Sequence, residues 1–280
     1  MQLSNNKFYN EEFYFRKNYP FSNRSAREII PIIIEIFKPE SVVDLGRGSG
    51  IWLNVFKELK VLKILGLDFH DSRHLLKENE FIKIDLRKKL TLNKKFDLAI
   101  SLEVAEHIEP TYSDLFVDNL TRLSDQIIFS AAIPNQEGEN HINEQWNLFW
   151  VDKFEKRGFV ALDLIRPRIL LNNNIGFDYR QNIICFIKKS ILDRNPSKFL
   201  PHFNKKTQLL HRKCLFKQKS IIVRLIYRIN NQIFNGLFDS VLDKIILNKF
   251  FGDIASSDFK EIAKVTSKTL WKEKESEERT

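Results

Sequence analysis

The sequence predicts an α/β fold built on a mainly parallel sheet, and three observations carry that prediction. Val42 to Gly50, VVDLGRGSG, reads as a buried strand, a glycine turn and the start of a helix. Four short apolar runs each deliver polar groups at their ends: Asp44, Asp68, Asp85, and Ser101 with Glu103. Segments of helical spacing lie among these runs, so strands and helices alternate along the chain. In open α/β sheets ligands sit beyond the carboxyl ends of the strands, where these polar residues gather.

The elements follow in order. The 280 residues, 43% hydrophobic and 12% aromatic, suffice for one packed domain with an appendage or for two small ones. Residues 1–20 are polar and aromatic, without a signal-peptide pattern, and no apolar run reaches the roughly 18–20 residues of a membrane span. A cytoplasmic protein is expected. Ser25 to Phe37 opens with an N-cap residue and runs apolar to Lys38-Pro39, which predicts a helix packed beside the glycine strand. The second strand, Val61 to Asp68, places a carboxylate where it could accept from both hydroxyls of a ribose. Phe81 to Ile84 predicts a third strand leading into Asp85 and Leu86, and Phe96 to Leu102 a fourth. Beyond these come a helix over Ser113 to Leu123, a buried strand over Gln126 to Ala132 and a helix over Glu144 to Arg157 stopped by Gly158. Strands over Phe159 to Ile165 and Asn182 to Lys188 follow.

The glycine spacing selects among ligands. Counted from Gly46, the dinucleotide fingerprint G-x-G-x-x-G needs a glycine at position 51, where the chain has Ile51, and no Gly-Lys-Ser/Thr completes a Walker loop. NAD, FAD and P-loop nucleotides are disfavoured. The pattern that remains, D-x-G-x-G-x-G over Asp44, Gly46, Gly48 and Gly50, resembles the first motif of class I S-adenosylmethionine-dependent methyltransferases. FDLAISLEVAEHI, Phe96 to Ile108, resembles their fourth motif. FSAAIP, then His141, Asn143, Glu144, Gln145 and Trp146, then Trp150, Ile165-Arg166-Pro167 and Tyr179-Arg180-Gln181-Asn182 resemble one bacterial subgroup, in the same order. The resemblance covers about residues 8–190 and departs at Arg47, where the family usually has Cys or a small residue.

That resemblance implies a Rossmann-like seven-stranded sheet of order 3-2-1-4-5-7-6 with the last strand antiparallel. It implies S-adenosylmethionine as cofactor, bordered by Asp44, Gly46, Gly48, Gly50, Asp68, Asp85, Leu86, Ser101 and Glu103. Such a cofactor carries its own electrophile, so the protein chiefly aligns a nucleophile and removes a proton where the nucleophile is a hydroxyl. His107 and His141 are the candidate bases because imidazole titrates near neutrality, with Glu144 beside them in the catalytic set. Glu103, Glu106 and His107 also fit E-x-x-E-H; with His141 they resemble the metal set of small-RNA 3′-end 2′-O-methyltransferases and of some quinone-biosynthesis O-methyltransferases. In that alternative Mg²⁺ or Mn²⁺ would acidify the acceptor hydroxyl. Tyr179 and Arg180 are candidates to hold an anionic or sugar-like acceptor.

Charge divides the chain into residues 1–190, with 27 basic against 26 acidic residues, and residues 191–280, with 18 against 10. Asn195-Pro196 and Pro201 predict a linker, after which Ile222 to Leu237 reads as a basic amphipathic helix in a mainly helical extension. Such a helix could pack on the domain, self-associate or lie on an anionic membrane surface. The resemblance favours a methyl acceptor that is a small molecule or glycan precursor, and basicity confined to a segment outside the enzyme domain argues against nucleic acid as substrate. An RNA methyltransferase and a non-catalytic nucleic-acid binder remain the alternatives. Cys185 and Cys214 show neither a disulfide framework nor a metal pattern.

Overall fold

The computed structural model describes residues 19–70, 75–136 and 138–199. The chain divides into two compact units, Met1–Gln208 and Leu209–Thr280, and every described residue lies in the first. The predicted amphipathic helix around Ile222, Cys214 and the remainder of the extension lie outside the described residues.

Seven strands form one sheet: β1 Ser41–Leu45, β2 Lys63–Asp68, β3 Phe81–Lys83, β4 Leu98–Leu102, β5 Gln126–Ser130, β6 Phe159–Leu162 and β7 Ile184–Lys188. Their order is 3-2-1-4-5-7-6, with β7 antiparallel to β5 and β6 and the other pairs parallel. The central strands are apolar on both faces, as a sheet covered on both sides requires. Alternation divides their side chains. Val42, Leu98, Ile100, Ile128, Cys185 and Ile187 enter one core. Val43, Ala99, Ile127, Phe129, Ile184 and Phe186 enter the other.

Helices α1 Tyr19–Phe37, α2 Ile51–Glu58, α5 Arg166–Ile169 and α6 Phe177–Asn182 cover the first face, and α3 Ser113–Leu123 and α4 Asn147–Glu155 cover the second. Under the second face Phe154 stacks on Phe186 at 3.9 Å between ring centroids, while Phe129 meets Trp150 at 5.2 Å. Two short helices follow β7, α7 Lys189–Arg194 and α8 Pro196–Phe199, the second inside the segment that the sequence marks as a linker. Pro196 is compatible with the first turn of a helix, where its missing N–H costs nothing, and Phe199 is fully buried against Phe37.

Two further expectations are corrected. Ser25 is not an N-cap: α1 begins at Tyr19, and Ser25 lies fully buried within it. Its hydroxyl donates to Phe21 O at 3.0 Å and accepts the Gly176 N–H at 3.0 Å, so it ties α1 to the start of α6. Helix α4 begins at Asn147 rather than Glu144, because the residues before it are bonded into a loop described below. Among the described residues no helix is long and apolar enough to cross a membrane.

Candidate active site

The glycine turn leaves β1 with Gly46, Gly48 and Gly50 all at positive φ, +92°, +54° and +80°. L-residues with side chains resist this region, so three glycines here follow from the path the chain must take into α2. Gly46 N–H donates to Leu67 O at 2.8 Å, tying the turn to β2. A Cβ on Gly46 would land on the side chain of Val104, the residue just before a 3₁₀ turn over Ala105–His107. The glycine is therefore required by close packing against the segment after β4.

Asp44, next to last in β1, and Asp68, last in β2, are nearly fully buried. Burial, and then the Asp68 charge, holds the Asp44 carboxyl well above the usual range, with Arg47 opposing. Burial also raises Asp68, opposed by N–H groups of His70 and Gly48 and by the Arg47 charge. Asp68 Oδ2 accepts the Gly48 N–H at 2.8 Å and Oδ1 the His70 N–H at 3.0 Å, so the β2 carboxylate braces the glycine turn. Asp85 is engaged by Arg87 at 3.0 Å through both Nε and Nη2, and that hydrogen-bonded pairing lowers its pKa. Leu86 is buried in the second core. The Ser101 hydroxyl is fully buried and donates to Leu45 O at 2.7 Å, a cross-tie between β4 and β1.

After β4 the backbone turns sharply at Glu103, φ +55°. Its carboxylate accepts from Gln136 Nε2 at 2.8 Å and from Asn182 Nδ2 at 3.3 Å, and Asn182 also donates to Gln136 Oε1 at 2.7 Å. Burial raises the Glu103 pKa against hydrogen bonds from Ser130, Gln136 and Asn182. The late motif Tyr179 to Asn182 thus reaches the end of β4. Tyr179 and Arg180 are buried in α6, with the Tyr179 ring 5.1 Å from Trp52 and Arg180 Nη1 donating to Leu170 O at 3.1 Å. Asp178, on the same helix, is pushed up to about 7 by burial and by the Glu103 charge.

The loop after β5 folds over the 3₁₀ turn. Glu106 O accepts the N–H groups of Ile142 and Asn143 at 2.9 and 3.0 Å, and Asn143 Nδ2 donates to Ser113 Oγ at 3.0 Å. These bonds hold residues 141–145 out of α4 and bring His141 to His107, with ring centroids 5.0 Å apart. His141 Nδ1 lies 3.0 Å from Glu144 Oε1, and Asn135 N–H donates to Glu144 Oε2 at 2.6 Å. An ionised carboxylate only accepts, so the His141 ring donates from Nδ1, and in the neutral ring that tautomer puts the lone pair on Nε2. His107 likewise donates from Nδ1 to Asn140 O at 3.2 Å, and burial lowers its pKa to about 4, so its ring is neutral near pH 7.

Glu106 completes this corner. It is fully buried, neither carboxylate oxygen makes a hydrogen bond of ordinary geometry, and burial plus the Glu103 charge raises its pKa well above the usual value. One ligand atom each from Glu106, His107 and His141 lie within 4.8 Å of one another. Glu103 is not in this group. The structure therefore brings His107, His141, Glu144 and Glu106 together, with Glu103 on the adjoining side held by amides. Sequence reasoning missed Gln136, Asn140 and Asp178 in these roles, and it singled out Asn182 only as part of a motif.

Comparison with known proteins gives two kinds of match. A family model described as a methyltransferase domain matches residues 16–181. Among solved structures, the methyltransferase domain of bacterial CtHen1 shares 18% identity over 59% of this chain and 98% of its own, with a TM-score of 0.44. The plantazolicin methyltransferase BpumL, solved with a desmethyl analogue and SAH, shares 17% over 62% and 88%, TM-score 0.45. DesVI of Streptomyces venezuelae shares 11% over 67% and 99%, TM-score 0.49. No curated protein matches the chain.

Proposed function

The chain belongs to the methyltransferase-domain family, whose model spans residues 16–181, and from that premise we propose that it transfers a methyl group from S-adenosylmethionine to a small-molecule or glycan-precursor hydroxyl or amine. One observation carries the reading. The glycine turn and the His107–His141 corner meet through Gly46 and Val104, so a cofactor crevice and a proton-accepting group share one end of the sheet.

The residues fit this cofactor. Asp44 and Asp68 are buried acids beside a turn that excludes side chains at Gly46, and a cationic ligand relieves the cost of ionising them there. In the proposal Asp44, Gly46, Gly48, Gly50 and Asp68 hold the cofactor, with Asp85, Leu86, Ser101 and Glu103 bordering it. When bound, it supplies a methyl on a sulfonium, open to in-line attack. His141 takes the acceptor's proton at Nε2, Glu144 fixes the ring and stabilises its cationic form, and the neutral His107 ring packs against it. The near-neutral charge of residues 1–190 supports a small acceptor over nucleic acid. The division into a methyltransferase domain over 1–190 and a basic extension over 191–280 belongs to the same proposal.

A second reading rests on the Glu106, His107 and His141 cluster. Both imidazoles donate from Nδ1 to fixed acceptors, an arrangement that commonly orients metal ligands, and Glu106 is a buried carboxylate in need of a partner. These three residues could hold Mg²⁺ or Mn²⁺, which would acidify an acceptor hydroxyl. Methyl transfer from labelled cofactor to sugar, amine and RNA acceptors, with and without EDTA, separates the readings. The leading one expects transfer to a sugar or amine that EDTA leaves unchanged. Loss of turnover in EDTA, restored by Mn²⁺ or Mg²⁺, selects the metal reading, and transfer to RNA alone overturns the acceptor class.

A further inference from the structure

Arg47 is a long charged side chain in the glycine turn, yet it is 2% exposed. Its Nη1 donates to Gly48 O at 3.1 Å and its Nη2 to His70 O at 3.5 Å, while the guanidinium lies 3.9 Å from the Phe81 ring centroid. The same two residues, Gly48 and His70, give their N–H groups to the Asp68 carboxylate at 2.8 and 3.0 Å. Each is therefore gripped at both ends of its polar backbone, by a carboxylate at the N–H and by a guanidinium at the carbonyl. A planar fork spans two carbonyls in this way, and a lysine ammonium, being a point donor, does not. The stem of Arg47 passes over Gly66 in β2, and a Cβ on Gly66 would land on Arg47 Cδ.

We infer that Arg47 is a positioning residue that clamps the cofactor turn to the end of β2, and that Gly66 lacks a side chain so that the clamp fits. The inference rests on the reading of this turn as the S-adenosylmethionine site. The buried carboxyl groups of Asp44 and Asp68 and the buried Arg47 guanidinium then form one preorganised unit, and the turn reaches its ligand-ready form without ordering cost at binding.

Calorimetric titration of the full chain with S-adenosylhomocysteine tests it on wild type, Arg47→Ser, Arg47→Lys, Gly66→Ala and the Arg47→Ser/Gly66→Ala pair. Arg47→Ser should weaken binding about tenfold or more, which is about 1.4 kcal/mol, and Arg47→Lys should recover only part of that. Gly66→Ala should weaken binding comparably in the wild-type background and several-fold less once Arg47 is serine, because the clash with Arg47 Cδ is then gone and only Leu76 Cδ1, 3.0 Å from the new Cβ, must give way. Faster hydrogen exchange at the Gly48 and His70 amides of ligand-free Arg47→Ser gives a second readout at the clamp itself. Binding by Arg47→Ser within twofold of wild type, or fully additive losses in the pair, would overturn the inference. Failure of the wild type to bind S-adenosylhomocysteine is a distinct result that removes the cofactor reading and this role with it.

Discussion

Replacing His141 by alanine should lower turnover about 10²-fold or more while leaving S-adenosylhomocysteine affinity within about threefold, well under 1.4 kcal/mol. The geometry separates the two effects. His141 lies in the loop that Glu106 O fixes through the N–H groups of Ile142 and Asn143, and it touches His107 and Glu144 rather than the glycine turn. Because Ile142 and Asn143 make those tethers through the backbone, alanine at 141 preserves the loop and removes only the imidazole. Glu144→Gln should lose less than His141→Ala, since an amide still accepts from Nδ1 but no longer offsets a charge on the ring. Normal turnover by His141→Ala on its native acceptor would make this loop structural.

Gly46→Val should abolish detectable S-adenosylhomocysteine binding. Val104 already occupies the space that a side chain at position 46 would need. A side chain at φ +92° is strained in itself, and it would push Val104 together with the 3₁₀ turn that carries Glu106 and His107. Both halves of the crevice are displaced by one substitution. Circular dichroism should show the sheet and helices retained at a lowered melting temperature, because the strain is confined to the turns at one end of the sheet. Binding within threefold of wild type would show that the turn does not hold the ligand.

The alternation of strands and helices is legible in the sequence because both cores draw on near-continuous apolar strands, and the sheet order follows from the resemblance rather than from periodicity. The ends of elements are less legible. Phe96 to Leu102 and Gln126 to Ala132 are mainly apolar, but β4 starts only at Leu98 and β5 stops at Ser130. Phe96, Ala131 and Ala132 are buried outside the strands, and an apolar run reports burial, not pairing. The acids and glycines of the candidate site are visible because strand ends and glycine spacing are local features. The partners that define those acids are not. Gln136 and Asn182 reach Glu103 across 33 and 79 positions, and Arg47 reaches His70 across 23, by way of the sheet crossovers. Arg47 registers in the sequence only as a departure from a pattern, and its meaning comes from Gly66 and Phe81 beneath it.

The central claim is that the turn from Asp44 to Gly50 is an S-adenosylmethionine site, and calorimetric titration of the full chain with S-adenosylhomocysteine, with NAD as the comparison ligand, tests it most directly. The account predicts saturable one-site binding of S-adenosylhomocysteine at micromolar strength, about −8 kcal/mol, with no heat of binding from NAD. Saturable binding of NAD, or no binding of S-adenosylhomocysteine at millimolar concentration, would contradict it.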